Sequence, residues 1–268
     1  QVDDATRYIK DNIVIDEMRN QDGTMQIETT DTRFPCYRAG IASMIQLDQF
    51  DQRAIRFCPF GANLKAVEAG FSLFPKAYVT IPNNLAYDFS AGEFTYTFIA
   101  NRGGVDYDKW GKETYTDVIF DHDGLIRVSQ TYGYYGSPYY HIYFYPLKKE
   151  IVTNIGELIQ SALADTPTWI VMRLKNYVFD LFVNGELVTS VNLRKDIDPT
   201  AFTLEYGSKE FMLGGTHKPI SANPYSDRLT RTYDIDAFAI FNRAITDLEI
   251  SKLFRRIWDY DVMLQLDN

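Results

Sequence analysis

The sequence has little of what catalytic and metal sites are usually built from. Only three residues are histidine (His122, His141 and His217) and only two are cysteine (Cys36 and Cys58). None of the histidines stands at metal-ligand spacing, which excludes a zinc site. Each cysteine lies beside a proline, Pro35 or Pro59, and two are too few to set a redox compartment; a disulfide and a pair of thiols both stay open. Basic runs are missing too. Lys148-Lys149 and Arg255-Arg256 are the densest spots, and both read as solvated surface. With 27 basic against 36 acidic residues the formal charge is −9, and such a surface repels phosphate backbones, so nucleic acid is not an expected partner. No apolar stretch approaches the ~20 residues of a membrane span, so a soluble chain without membrane insertion is expected. The chain opens on Gln1, which implies a removed leader or an internal start; secreted proteins, surface lipoproteins and virion components all fit.

Aromatic residues are abundant: 19 Tyr and 18 Phe dominate an aromatic share of 15%, which favours strands and contact surfaces over helices. Asp3 to Lys10 reads as a short helix, and Met25 to Thr29 alternates like a strand. From residue 71 onward strand patterns are dense. Phe71 to Phe74 and Ala77 to Ile81 are closed by Pro75 and Pro82, and Phe94 to Ile99 alternates strictly. Residues 101–117 read as a long polar loop carrying Trp110, either a ligand platform or a loop anchor. Val118-Ile119-Phe120 and Leu125 to Val128 flank the turn Asp121-His122-Asp123-Gly124, a hairpin signal that outweighs a calcium-loop reading of the same aspartates. Asn154 with Glu157 predicts a capped short helix. Trp169 to Leu174, Val178 to Val183 and Glu186 to Val191 are strands, the last two joined by Asn184-Gly185, which suits a type I′ turn. Phe202 to Tyr206, Phe211 to Leu213 and Asp234 to Phe241 follow. The Thr246/Glu249 capping box then opens a helix whose Ile250, Leu253, Phe254 and Ile257 form one apolar stripe. Internal repeats and strand–helix alternation are absent, so the fold class is all-β: a two-sheet antiparallel β-sandwich or jelly roll with a short C-terminal helix.

Seven tyrosines crowd into residues 132–145. Strand alternation sends Tyr140, Ile142 and Phe144 to one face, read as core, and Tyr139, His141, Tyr143 and Tyr145 to the other. Tyrosine rings stack on the C–H faces of sugars and hydrogen-bond through the hydroxyl, so the second set is the candidate ligand surface. The competing reading is packing beneath the 101–117 loop or the N-terminal segment.

Four stretches become specific in order. Thr168 to Val171 with Leu181-Phe182-Val183-Asn184-Gly185-Glu186-Leu187-Val188 resembles the Trp strand and Val-Asn-Gly hairpin of laminin G-like domains, in the concanavalin A-like lectin/glucanase superfamily. Phe211-Met212-Leu213-Gly214-Gly215, the closing run Asp234 to Ile250, and Tyr78 to Pro82 with Glu93 to Phe98 resemble three further motifs of that family. The resemblance spans about residues 65–257; Tyr233 stands where the family has glycine before the closing strand. It implies a curved, concanavalin A-like jelly roll over residues 65–268 that binds glycans or proteins, and one structural Ca²⁺ held by Asp236 with Asp234 beside it. Two aspartates alone cannot fill a calcium shell, and simple hydrogen bonding at a strand start is the alternative. Residues 1–64 match nothing and stand as an N-terminal extension: part of the sandwich, or a joint to an assembly partner.

Enzymes share this fold, so chemistry has to be sought in residues. The Glu-x-Asp-x-x-Glu strand of the superfamily's glucanases is missing, since no Glu is followed two positions on by Asp. No Gly-x-Ser-x-Gly occurs. A hydrolase with another carboxylate arrangement stays open, and a lyase that uses Tyr and His as base and acid would sit on the Tyr139–Tyr145 strand. The expectation is a non-catalytic, extracellular, cell-surface or virion-surface domain that recognises a glycan or a cell-surface protein through Tyr139, His141, Tyr143, Tyr145 and Trp110. A polysaccharide hydrolase or lyase and a structural or receptor-binding part of a surface assembly are the alternatives.

Overall fold

A computed structural model of the chain describes residues 9–10, 13–14, 23–27, 42–47, 52–57, 77–82, 89, 91–102, 116–132, 138–154, 168–196, 211–216 and 233–255. They form two antiparallel sheets, one short α-helix and a 3-10 turn at Leu193–Asp196. The nine-stranded sheet runs β1 (Ile9–Lys10), β2 (Ile13–Val14), β3 (Gly23–Ile27), β6 (Ala77–Ile81), β15 (Phe211–Leu213), β8 (Thr116–His122), β9 (Ile126–Tyr132), β10 (Pro138–Phe144) and β11 (Lys149–Asn154). The seven-stranded sheet runs β14 (Glu186–Asn192), β13 (Val178–Val183), β12 (Thr168–Lys175), β7 (Phe94–Arg102), β16 (Tyr233–Phe241), β5 (Gln52–Phe57) and β4 (Ala42–Leu47). Residues 247–255 are the helix α1. This is the all-β sandwich with a short C-terminal helix that alternation implied.

Strands from the first sixty residues extend both sheets. β3 pairs with β6, setting Met25 opposite Val79, and β5 pairs with β16, setting Ile55 opposite Ile235. The helix expected up to Lys10 is corrected at its end: Ile9 and Lys10 are strand, paired with Val14 and Ile13. The hairpin turn expected at Asp121 to Gly124 also shifts. Asp121 and His122 belong to β8, and the chain reverses at residues 123–125, with Gly124 at φ 79°. The expected strands at Phe71–Phe74 and Phe202–Tyr206, the helix after Asn154, Cys36, Cys58, Ile257 and Trp258 lie outside the described residues.

The core lies between the sheets, built from alternate side chains. Phe94, Tyr96 and Phe98 of β7 face Phe120, Val128, Tyr140, Ile142 and Phe144 from the other sheet, all buried. Phe120 stacks on Tyr96 at 5.1 Å and meets Phe211 at 5.6 Å and Phe238 at 5.5 Å. Phe238 reaches this cluster through a β-bulge. The register of β16 against β7 shifts between Asp236 and Ala239, and Ala237 takes φ 47°, which turns the next side chain inward.

On the opposite face of the seven-stranded sheet, α1 covers part of β7, β12 and β13. Thr246 caps the helix as its sequence promised: the Glu249 amide donates to Thr246 Oγ1 at 3.2 Å and the Thr246 amide to Glu249 Oε2 at 2.7 Å. Ile250, Leu253 and Phe254 then pack on Ile99, Trp169, Val171 and Phe182. The Trp169 indole stacks on Phe254 at 5.8 Å and donates to Thr97 Oγ1 at 2.6 Å. Arg173, nearly buried, donates from Nη2 to Asp180 at 2.7 Å and from Nη1 to the Ile245 carbonyl at 2.9 Å and Asp247 at 2.6 Å, so it ties the sheet to the start of the helix. Asn184 (φ 50°) and Gly185 (φ 83°) make the expected type I′ turn.

Candidate functional site

β10 owes its place to alternation. Tyr140, Ile142 and Phe144 are buried in the core, while Tyr139, His141 and Tyr143 point away from it and are partly exposed. Register aligns this outward set with its neighbours. Tyr143 stands between Arg127 of β9 and Glu150 of β11, and His141 between Ser129 and Val152. The row through Tyr143 continues across the sheet to Asp121, Met212 and Thr80.

Side chains along this row interlock. The Arg127 guanidinium lies over both neighbouring rings, 5.2 Å from the Tyr143 centroid and 5.9 Å from that of Tyr145. Those two rings meet edge to face at 5.2 Å. Tyr145, the first residue past β10, is fixed at both ends. Its amide donates to the Leu125 carbonyl at 3.1 Å, and its hydroxyl donates to Asp121 Oδ1 at 3.0 Å and Oδ2 at 3.1 Å. Thr216 Oγ1 donates to the same carboxylate, which is wholly buried. Burial and then the charge of Asp121 push the Tyr145 phenol above its ordinary range, against smaller opposite pulls from Arg127 and Thr216, so the hydroxyl stays a donor.

At the rim, His141 Nδ1 lies 3.4 Å from Glu150 Oε1, with their side chains 22% and 44% exposed. Val152, on the same face beside His141, is 52% exposed, an open apolar neighbour to the tyrosines. The arrangement therefore divides its labour. Tyr145 and Asp121 anchor the cluster; Tyr143, His141, Tyr139, Glu150 and Val152 are displayed. Aromatic faces, a guanidinium and a carboxylate–imidazole pair are groups that stack and hydrogen-bond.

Of the residues singled out from sequence, the structure brings Tyr139, His141, Tyr143 and Tyr145 together on this face. Trp110 lies outside the described residues. Asp234 and Asp236 sit on β16, their backbones opposite Asn101 and Ile99 of β7, and their side chains are not among those described. No group of three or more His, Cys, Asp or Glu suited to a metal occurs among the described residues. Arg127, Asp121, Glu150 and Thr216 were not singled out as site residues. Alternation from Ile126 and Val128 puts Arg127 on the outward face, a signal that was available. Asp121 read as a turn residue, and the Lys148-Lys149 pair disguised the start of β11.

Beneath the site, on the core side of β8, His122 is buried with its Nδ1 2.7 Å from the Tyr96 hydroxyl and the rings of Phe89 and Phe211 at its edges. Burial lowers its pKa to about 4, with the Asp123 charge acting the other way.

No family model matches the chain, and no curated protein matches it. Solved structures do. The binding domain of Paraclostridial Mosquitocidal Protein 1 is 11% identical with a TM-score of 0.59, over 92% of this chain and 50% of that one. The binding domain of Botulinum neurotoxin DC in complex with rat synaptotagmin II is 13% identical with a TM-score of 0.57, again over 92% and 50%. The same domain in complex with SialylT gives 13% and 0.56 with the same coverage. The chain thus spans about half the length of the solved structures it matches. Identities this low establish the fold. Covering 92% of the chain, the likeness reaches into residues 1–64, beyond the stretch that carries the laminin G resemblance. No helix among the described residues is long and apolar enough to cross a membrane. What the chain shares with these neighbours is a two-sheet β-sandwich of the kind found in toxin binding domains.

Proposed function

We propose that this chain is a non-catalytic binding domain that recognises a glycan or a cell-surface protein through the outer face of β9, β10 and β11. The observation that carries this reading is the partly exposed row Tyr139, His141 and Tyr143, held on a rigid sheet by Arg127 and the Tyr145–Asp121 anchor. Stacking surface that is already ordered loses little conformational entropy on binding. The fold neighbours are named as binding domains, one in complex with synaptotagmin II and one with SialylT, which supports a protein or glycan partner at a cell surface. The laminin G-like motifs support the same reading, and with it an extracellular or surface location. Tyr145 does not suit the base of a lyase. A tyrosine base needs its pKa brought down, whereas that of Tyr145 is pushed up.

The test is a glycan array probed with the wild type and Tyr143→Ala, run beside capture of cell-surface proteins. Wild-type retention that Tyr143→Ala lowers at least about tenfold is the expected result. Retention indifferent to that change would move the site elsewhere, and turnover of polysaccharide would replace a binding domain with an enzyme. Calcium at Asp236 and Asp234 belongs to the same proposal. The chain should melt at a higher temperature with added Ca²⁺ than with chelator, and an unchanged midpoint removes that ion.

A further inference from the structure

Resting on the glycan reading of the same face, we propose that Arg127 is an anion subsite that takes the single carboxylate of an acidic pyranose. Among the described residues no carboxylate forms an ion pair with its guanidinium, and Nε is buried without a hydrogen-bond partner. The carboxylates in its row are committed elsewhere. Asp121, opposite it in the register, accepts from Tyr145 and Thr216; Glu150, on the far side of Tyr143, lies 3.4 Å from His141. Tyr145, its phenol pushed up by burial and then by Asp121, stays neutral and supplies no counter-charge either. A guanidinium held this way is short of an acceptor, so an anion carried in by a ligand offsets a cost the protein alone leaves standing. Arg127 is only partly buried, and with Nε covered a ligand approaches through the terminal amino groups, which share the same delocalised charge.

One guanidinium suits one anionic group, and its planar fork matches a carboxylate through two parallel hydrogen bonds. Position ties that group to a stacked sugar. Cζ lies 5.2 Å from the Tyr143 centroid, so a carboxylate bonded directly to a pyranose ring reaches the fork while the ring stays on Tyr143. The remaining hydroxyls then meet His141 and Glu150 across Tyr143, and a C–H face meets the open Val152 side chain. The same charges disfavour a polyanion. Glu150 stands exposed at the rim and the chain carries −9 overall, so further anionic groups are repelled.

The experiment applies the full chain, at about 0.15 M salt, to glycans in matched pairs that differ only in one carboxylate. Glucuronate-terminated glycans are set against their glucose-terminated counterparts, galacturonate against galactose, and sialyllactose against its methyl ester, with heavily sulfated glycans beside them. The first two pairs and the third tell a uronic from a sialic source of the same group. Wild type should retain the carboxylate member of at least one pair about tenfold more than its neutral partner. Arg127→Gln should erase that preference, and Arg127→Lys, which keeps the charge without the fork, should keep part of it. The pairs need no substitution, so the inference stays testable should either variant fail to fold. Equal retention of both members by wild type overturns it and spares the glycan reading, as does a carboxylate preference that Arg127→Gln leaves intact. Retention confined to the heavily sulfated glycans overturns it as well. No retained glycan of any kind removes the glycan reading and this inference together.

Discussion

Each sheet carries aromatic residues on the face turned away from the core, and the two sheets treat them in opposite ways. On the seven-stranded sheet, Trp169 and Phe182 are covered by α1, and the polar groups among them are paired: the indole with Thr97, Arg173 with Asp180, Asp247 and a carbonyl. On the nine-stranded sheet at β9 to β11, Tyr143, His141 and Val152 have no such lid among the described residues and stay partly or largely exposed. Strand alternation produces both outward rows and cannot tell one from the other. A helix that brings its own apolar stripe makes one face structural; among the described residues no helix lies on the other.

The contrast can be broken most sharply at Arg173. Removing it by Arg173→Ala leaves Asp180, whose side chain is 10% exposed, without its main partner; the loss should be about 3–5 kcal/mol by denaturant unfolding. Asp247, 81% exposed, should matter by less than about 1 kcal/mol when changed to Ala. If the two variants cost the same, Arg173 is not the clamp described.

The next largest effect separates the core beneath the site from the site itself. His122 keeps its proton only below about pH 4, whereas the unfolded chain takes one up near pH 6.5. Between those values the unfolded state binds more protons, so stability falls as pH falls and levels off below about 4. From pH 7 to 5 this amounts to about 2 kcal/mol. His122→Gln should flatten that part of the profile relative to wild type in urea unfolding; an unaltered slope would assign it to other groups.

Gly185 tests how closely α1 is seated. A Cβ there would lie 3.1 Å from the Phe254 ring, in a backbone conformation that disfavours any side chain. Gly185→Ala should therefore lower stability by about 1–2 kcal/mol, and Phe254→Leu in the same chain should restore part of it. The smallest stability effect is expected on the displayed face. Tyr143→Ala should cost about 1 kcal/mol or less while lowering binding at least about tenfold, the reverse of the Arg173 result. A large loss of stability would place Tyr143 with the covered face instead.

Much of this was legible in the residues. β6, β7, β10, β12 to β16 and the capped helix follow from alternation, a capping box and an Asn-Gly turn, all of them local signals. The split of β10 into Tyr140, Ile142 and Phe144 against Tyr139, His141 and Tyr143 is local as well. β4, β5 and β11 escaped notice. β5 is held by pairing with β16, almost two hundred residues away, and β11 begins on a charged pair. Asp121 and His122 read as turn residues because Asp-Gly follows them, yet both continue β8 into the protein.

By itself the chain determined period, turn chemistry and charge: which side chains share a face, where strands reverse, and that the surface is acidic. Only the tertiary structure decided which outward face would be covered, that Arg127 would lie across two tyrosines, and that Asp121 would be buried to anchor Tyr145. Those outcomes depend on contacts between strands and on a helix far away in sequence. Period-two patterning orders the residues of one strand but says nothing of what arrives from elsewhere to lie upon them.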